Sequence, residues 1–264
     1  MTFLSVCAVS CVFGCSCPTS TDCNFTHTSG ALPDVVPYHN PYGGWPGDPS
    51  WGAAGAVIPR EIVVTRGETV TPELFSVVKG VVDFFNSHGD SKTNGVVTFG
   101  YYGDWLDLPP HTPRPQVTGF SHLLSIHRLV EIASAAGNSA AAAKYNQTLQ
   151  TLKAGYHKAY WDAKTMNYGA SQTANLLPLF LDIPPLELVP AVTKAYIEAV
   201  TTNKNLTNSG IIGSAYMLQT LVKVGRGDIA LHIALATSEP SWGYMVQQGT
   251  TAKLILKSCH LLSV

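Results

Sequence analysis

"TPELFSVVKGVVDFFNSHG" occupies residues 71–89, and the spacing of its apolar residues decides the fold class. Leu74, Val77, Val78, Val81, Val82 and Phe85 recur at the i, i+3, i+4, i+7 intervals of one helical face. Thr71 can cap the first turn, Pro72 suits the first helical position, and Gly89 stops the run. A helix with one apolar stripe needs a second layer to cover that stripe.

The same period returns downstream. A second helix is expected from about Val117 to Ala136, ended by Gly137, and a third running to Trp161 with Tyr145, Leu149, Leu152, Tyr156 and Ala159 on one stripe. These two read as an antiparallel hairpin. Four more helical stretches follow at about 171–181, 187–203, 210–224 and 227–236, broken at Pro184-Pro185, Asn208-Ser209-Gly210 and Gly225-Arg226-Gly227. Strand character is confined to "GAVIP" (55–59), "EIVVT" (61–65) and "NGVVTFGY" (95–102). The expected architecture is all-α, a ring or bundle of helical hairpins with long irregular loops gathered at one end.

Composition narrows the partners. Sixteen Lys and Arg against 17 Asp and Glu give a net charge of -1, and the basic residues never cluster, which argues against nucleic acid and anionic membrane surfaces. No apolar run is long enough to span a bilayer. With 12% charged residues, 23 Gly and 17 Pro, the chain reads as buried elements joined by shaped loops around a neutral partner.

Cys7, Cys11, Cys15, Cys17 and Cys23 crowd the start of the chain, with Cys259 alone near the other end. Paired C-x-x-C spacing is absent, so zinc is not expected. "MTFLSVCAVSCVFGCSCP" is apolar like a secretory h-region but lacks a basic n-region, so an export signal and a mis-assigned first exon both stay open. Sequons at Asn24, Asn146 and Asn205 lean toward export. His122 and His127 are five apart and do not share a helical stripe, so they are not expected to bind a metal. No nucleophile elbow, P-loop or dinucleotide fingerprint occurs.

The long loops hold the candidate chemistry. "LPDVVPYHNPYGGWPGDPSWG" (32–52) and "YYGDWLDLPPHTPRP" (101–115) are aromatic and rich in Pro and Gly, and loops of that length are usually functional. Trp45, Trp51, Trp105 and Trp242 sit in irregular segments, where a flat indole can stack on a pyranose while carboxylates and amides bond its hydroxyls. Asp104, between Gly103 and Trp105, can aim into a cleft or cap a turn, and Asp107 reads better as a cap before Pro109-Pro110. In "EPSWGYMVQQGTT" (239–251), Gln247, Gln248, Thr250 and Thr251 can bond hydroxyls, and Glu239 is a solvated acid or a general base.

Taken in order, "GALPDVVP" (30–37), "DPSWGAAGAVIP" (48–59), "YGDWLD" (102–107), "GASQTANLLPLFLDIPP" (169–185), "NSGIIGSAYMLQTLVKVGRGDIA" (208–230) and "PSWGYMVQQGTT" (240–251) resemble the catalytic domain of bacterial and fungal α-L-rhamnosidases. The resemblance implies an (α/α)6 six-hairpin toroid and divides the chain into a divergent or signal-like segment (1–29), a partial catalytic domain (30–251) and a divergent tail (252–264). It implies release of terminal α-L-rhamnose from a glycoside with inversion, by a general acid and a general base far enough apart to admit a water, and no cofactor. Trp51 and Trp105 match aromatic residues that line the family's rhamnose pocket, and Asp104 and Trp242 lie in motifs bordering it.

The departures are specific. The family's general acid belongs to a D-x-x-x-R-x-E-x-x-x-W-x-x-D motif upstream of "LPDVVP", which nothing in residues 1–29 matches. Its general base is a Glu a few residues beyond a G-A-T-T motif; here Ile255 stands there, in an acid-free "AKLILKSCHLLSV". Arg60 follows "AVIP" where an aromatic is usual. Seven to nine helices would not close a twelve-helix barrel, so the expectation is an incomplete toroid with no assignable catalytic acid or base. Another six-hairpin glycosidase or uronyl hydrolase, and a sugar-binding remnant without chemistry, remain the alternatives.

Overall fold

The structure, a computed structural model, describes residues 30–33 and 47–249. The early Cys cluster, Cys259, Trp45, Asn24, Thr250, Thr251 and Ile255 lie outside them. The chain packs as two compact units: the described parts of Met1–Tyr102 with Thr118–Ala159, and Gly103–Val117 with the described part of Tyr160–Val264.

In the first unit, α1 (Pro49–Gly52) and α2 (Ala54–Arg66) precede α3 (Pro72–Ser87), the helix of the opening motif. Thr71 Oγ1 accepts the Leu74 amide at 3.2 Å, as expected of an N-cap. Leu74, Val78, Val81, Val82, Phe84 and Phe85 are buried, at about 1.5–3 kcal/mol for each large side chain. Phe84, Phe85 and Val81 form a cluster with Ala31 and Val97, against which Leu32 and Phe99 pack.

The strand readings of 55–59 and 61–65 are corrected: both stretches lie inside α2, around its internal Pro59. Ala56, Pro59 and Val63 face inward at helical spacing, while Val64 is 48% exposed. Packing against α3 thus overrides the β-branched run. Residues 95–102 form no strand either. Val97 is fully buried, but its amide is taken by His122 Nδ1 at 3.3 Å, and the Val96 carbonyl accepts the Asp90 amide and Thr93 Oγ1. These buried backbone groups are satisfied without a neighbouring strand.

Two long helices follow, α4 (Arg114–Ala135) and α5 (Ser139–Tyr160). The stop at Gly137 is realised as a Schellman cap, with Gly137 at φ 70 and the Asn138 amide on the Ala133 carbonyl at 2.9 Å. Asn138 Oδ1 then accepts the Ala141 amide, starting α5. Gly119, near the start of α4, lies against Tyr156, near the end of α5, so the pair is antiparallel as expected. Within its first-unit part α4 is buried on several faces, Phe120, Leu123, Ile126, Leu129 and Ile132 being fully enclosed together with the polar Ser121, His122 and Ser125. By contrast α5 buries one stripe, Tyr145, Leu149, Leu152 and Tyr156, with Ala159 exposed. An enclosed helix followed by a one-sided helix is the signature of a two-layer hairpin.

The second unit repeats that alternation. Helix α6 (Gln172–Phe180), capped by Ser171, is buried from Gln172 through Leu179, whereas α7 (Val189–Thr202) buries only Val192, Tyr196 and Val200. Two further helices, α8 (Ile211–Lys223) and α9 (Gly227–Leu235), turn at Gly225, and a short α10 (Trp242–Gln247) follows. Helix α6 packs against both α7 and α8. Lys223 Nζ reaches the Leu179 and Phe180 carbonyls and the Asp182 carboxylate, placing a cation on the C-terminal end of α6. Among the described residues there are ten α-helices and no strand, so the all-α expectation holds. No described helix is long and apolar enough to cross a membrane.

Candidate functional site

The loop that opens the second unit is built around one carboxylate. Asp104, 4% exposed, accepts Thr173 Oγ1 at 2.6 Å and the Gly210 amide at 2.9 Å on Oδ2, and the Gly213 amide at 2.9 Å on Oδ1. Gly210 caps α8 and Gly213 lies in its first turn, so the negative charge sits on two free amides of a helix N-terminus. The Trp105 carbonyl accepts the Ile211 amide, and the Leu108 amide donates to the Asn208 carbonyl, each at 2.9 Å. Burial pushes the Asp104 carboxyl above its ordinary range; the bonds from Thr173, Gly213 and Gly210 oppose that rise.

Glycine is required where the loop meets α8. A Cβ on Gly210 would stand 2.3 Å from the Asp104 carbonyl oxygen and 2.4 Å from that of Trp105, both backbone atoms that cannot swing away. Gly210→Ala is therefore expected to destabilise the protein by about 3 kcal/mol, the upper part of the overpacking range. Gly227→Ala, where a Cβ meets nothing within 4 Å, is the control, and urea midpoints of the two variants check the contrast.

Of the four site residues expected from sequence, Asp104, Trp105 and Trp242 belong to the second unit and Trp51 to the first. Asp104 faces the unit's own backbone. Beside it, Trp105 is 40% exposed, followed by Leu106 at φ 70. Trp242 is half-buried at the start of α10, whose N-cap Ser241 accepts the Tyr244 amide at 3.1 Å. Trp51 is half-buried in α1, its ring edge-on to Tyr102 at 5.2 Å, and its indole N–H finds no acceptor among the described residues. Asp107 accepts His111 Nδ1 at 2.8 Å and the Thr112 amide at 3.1 Å, a local turn as expected. Glu239 is exposed.

Sequence reasoning passed over Asp48. It is 3% exposed, caps α1 through the Ser50 amide at 2.8 Å, and takes the amides of Tyr101 and Tyr102 on its other oxygen. That grip fixes the Tyr102 ring beside Trp51. The readable signal was Asp48-Pro49, an N-cap residue before a proline at N1. Arg60, the odd residue after "AVIP", pairs with Glu131 at 2.7 Å. Burial disfavours the Glu131 charge, but bonds from His127, Arg60 and Arg128 outweigh it and hold the carboxyl well below the usual range. Among the described residues no three His, Cys, Asp or Glu side chains gather as a metal site.

The sequence matches the model of the bacterial alpha-L-rhamnosidase 6 hairpin glycosidase domain over residues 22–254. It is 24% identical over 225 residues to an α-L-rhamnosidase of Streptomyces avermitilis, covering 85% of this chain and 21% of that protein. The chain thus spans about a fifth of that relative's length. Its structure resembles that of the native enzyme of Aspergillus terreus (TM-score 0.73, 25% identity, 84% of this chain and 27% of that one). It also resembles the Streptomyces avermitilis α-L-rhamnosidase complexed with L-rhamnose (TM-score 0.71, 22% identity, 85% and 21%). The helical hairpins described above are those of the six-hairpin glycosidase fold.

Proposed function

The chain belongs to the bacterial α-L-rhamnosidase six-hairpin glycosidase family, and from that premise we propose that it serves in the hydrolysis of terminal α-L-rhamnosyl bonds with inversion at the anomeric carbon. The family match over residues 22–254 carries this reading. Trp51, Trp105 and Trp242 are the proposed sugar-facing surfaces. Asp104 is the proposed support that fixes Trp105 to the start of α8, since its oxygens already accept three internal donors. An indole face takes the apolar C–H face of a deoxysugar, and inversion needs two carboxyl groups about 6.5–9.5 Å apart with a water between them.

One observation favours a second reading, sugar binding without turnover: residues 252–264 contain neither Asp nor Glu. Two measurements separate the readings. Release of p-nitrophenol from an aryl α-L-rhamnoside is expected to be slow in this chain and to rise by two orders of magnitude or more, about 10²–10⁴-fold, when segments carrying the family's acid and base are fused to it. L-rhamnose is expected to quench tryptophan emission, and Trp105→Ala to weaken that binding by about 10-fold. Binding without turnover in the fused protein would establish the second reading, and absence of rhamnose binding would sink both.

A further inference from the structure

The arm of the loop beyond Asp104 walls a groove of about 390 Å³ in the second unit, opposite the C-terminal half of α7. That volume is within the range of small-molecule sites. Asn203 and Asn208 both line it, and the carboxamide of each is anchored: Asn203 Nδ2 donates to the Leu206 carbonyl at 2.9 Å, and Asn208 Nδ2 to the Pro109 carbonyl at 3.3 Å. Each amide is held in one orientation, and its Oδ1 has no partner among the described residues. Glu198 adds a carboxylate, with Lys194 only loosely placed at 3.7 Å. Pro109 and Pro110 supply two apolar rings, and among the described residues no Lys or Arg lines the groove.

The wall therefore presents fixed oxygen acceptors beside an apolar patch. Glu198 disfavours an anion and its partner Lys194 is not among the lining residues, whereas a ring rich in hydroxyl groups can donate to all three acceptors and rest its C–H face on the prolines. We propose that this groove, with no tryptophan lining it among the described residues, is a carbohydrate subsite for a neutral, hydroxyl-rich sugar ring. Two sources share that chemistry: the sugar to which rhamnose is attached in the substrate, which rests on the function proposed above, and an independent glycan.

The test is heteronuclear NMR on the full chain, following the side-chain amides of Asn203 and Asn208 and the backbone amide of Glu198. Methyl β-D-glucoside, methyl α-L-rhamnoside and an α-L-rhamnosyl-(1→6)-D-glucose disaccharide are titrated separately. The glucoside is expected to shift all three groups, and Ala195→Trp, which fills the groove from α7, to abolish the shifts while circular dichroism stays unchanged. Glu198→Lys, on an exposed side chain, is expected to weaken binding by about 10-fold and guards against a misfolded blocking variant. A disaccharide acting about 10-fold more tightly than the glucoside assigns the groove to the substrate's second sugar; equal action assigns it to an independent glycan. Groove residues unmoved by either the glucoside or the disaccharide, or shifts that survive both variants, overturn the proposal. A rhamnoside that perturbs Trp105 while the groove stays silent leaves the proposed function standing without this subsite. A glucoside that shifts the groove while the rhamnoside binds nowhere does the reverse.

Discussion

Asp104→Ala is expected to lower stability by about 3–5 kcal/mol, because it strands buried donors from α6 and α8 at once. Three contacts disappear together: Thr173 Oγ1 and the amides of Gly210 and Gly213. The hydroxyl can rotate to another acceptor, but the amides of the Gly210 cap and of Gly213 in the first turn of α8 have no intrahelical partner. Asp104→Asn keeps one acceptor oxygen and turns an amino group toward a donor, so it should fall between Ala and wild type. Asp107→Ala, which removes a partly solvated turn, should cost about 1 kcal/mol or less. Urea denaturation followed by circular dichroism gives the ranking, and hydrogen exchange at Gly210 and Gly213 locates the loss. Equal stability of Asp104→Ala and Asp107→Ala would show that the network does not hold the loop.

The second large effect is acid lability from His122. Its Nδ1 accepts the Val97 amide at 3.3 Å, so the proton must sit on Nε2, which donates to Asn86 Oδ1 at 3.0 Å. Burial pushes the imidazole down to about 3 from an ordinary 6.5. The unfolded chain therefore binds a proton between those values that the folded chain refuses. The stability this group contributes is fully present above 6.5 and declines as pH falls toward 3, by about 1.4 kcal/mol per pH unit, or about 2 kcal/mol by pH 5. Glu131, whose carboxyl is held low, loses its contribution only below the ordinary carboxylate range, and Asp104, whose carboxyl is held high, acts just above that range in the opposite sense; the decline as pH falls from 6.5 toward 3 is the part that belongs to His122. His122→Gln can keep a donor for Asn86 and an acceptor for Val97 without titrating, and is expected to flatten the stability profile in that window. An unchanged slope would mean that other groups govern it.

Much of the architecture was legible because it rests on local periodicity. Helices α3 through α9 announce themselves by apolar spacing and by stops such as Gly137 and Gly225, where the chain must reverse. Helix α2 was not legible: Ile62, Val63, Val64 and Thr65 carry strand propensity, and Pro59 lacks an amide, yet the helix packs against α3. Helices α1 and α10 are too short for periodicity to register. At the candidate site, sequence could mark Asp104 as a carboxylate beside a tryptophan but not its direction. Its partners stand 69, 106 and 109 residues away, and only tertiary contact brings them to it. Asp48 escaped for the same reason, with Tyr101 and Tyr102 lying 53 and 54 residues downstream.

The inward grip of Asp48 and Asp104 bears on how inactive variants should be interpreted. On the proposed function, a random screen of the fused protein scored only by product colour would rank both positions among the most sensitive acids and nominate them as proton donors. Pairing each dead clone with a melting curve separates the cases, since a lost proton donor leaves the transition temperature in place and a lost anchor drags it down.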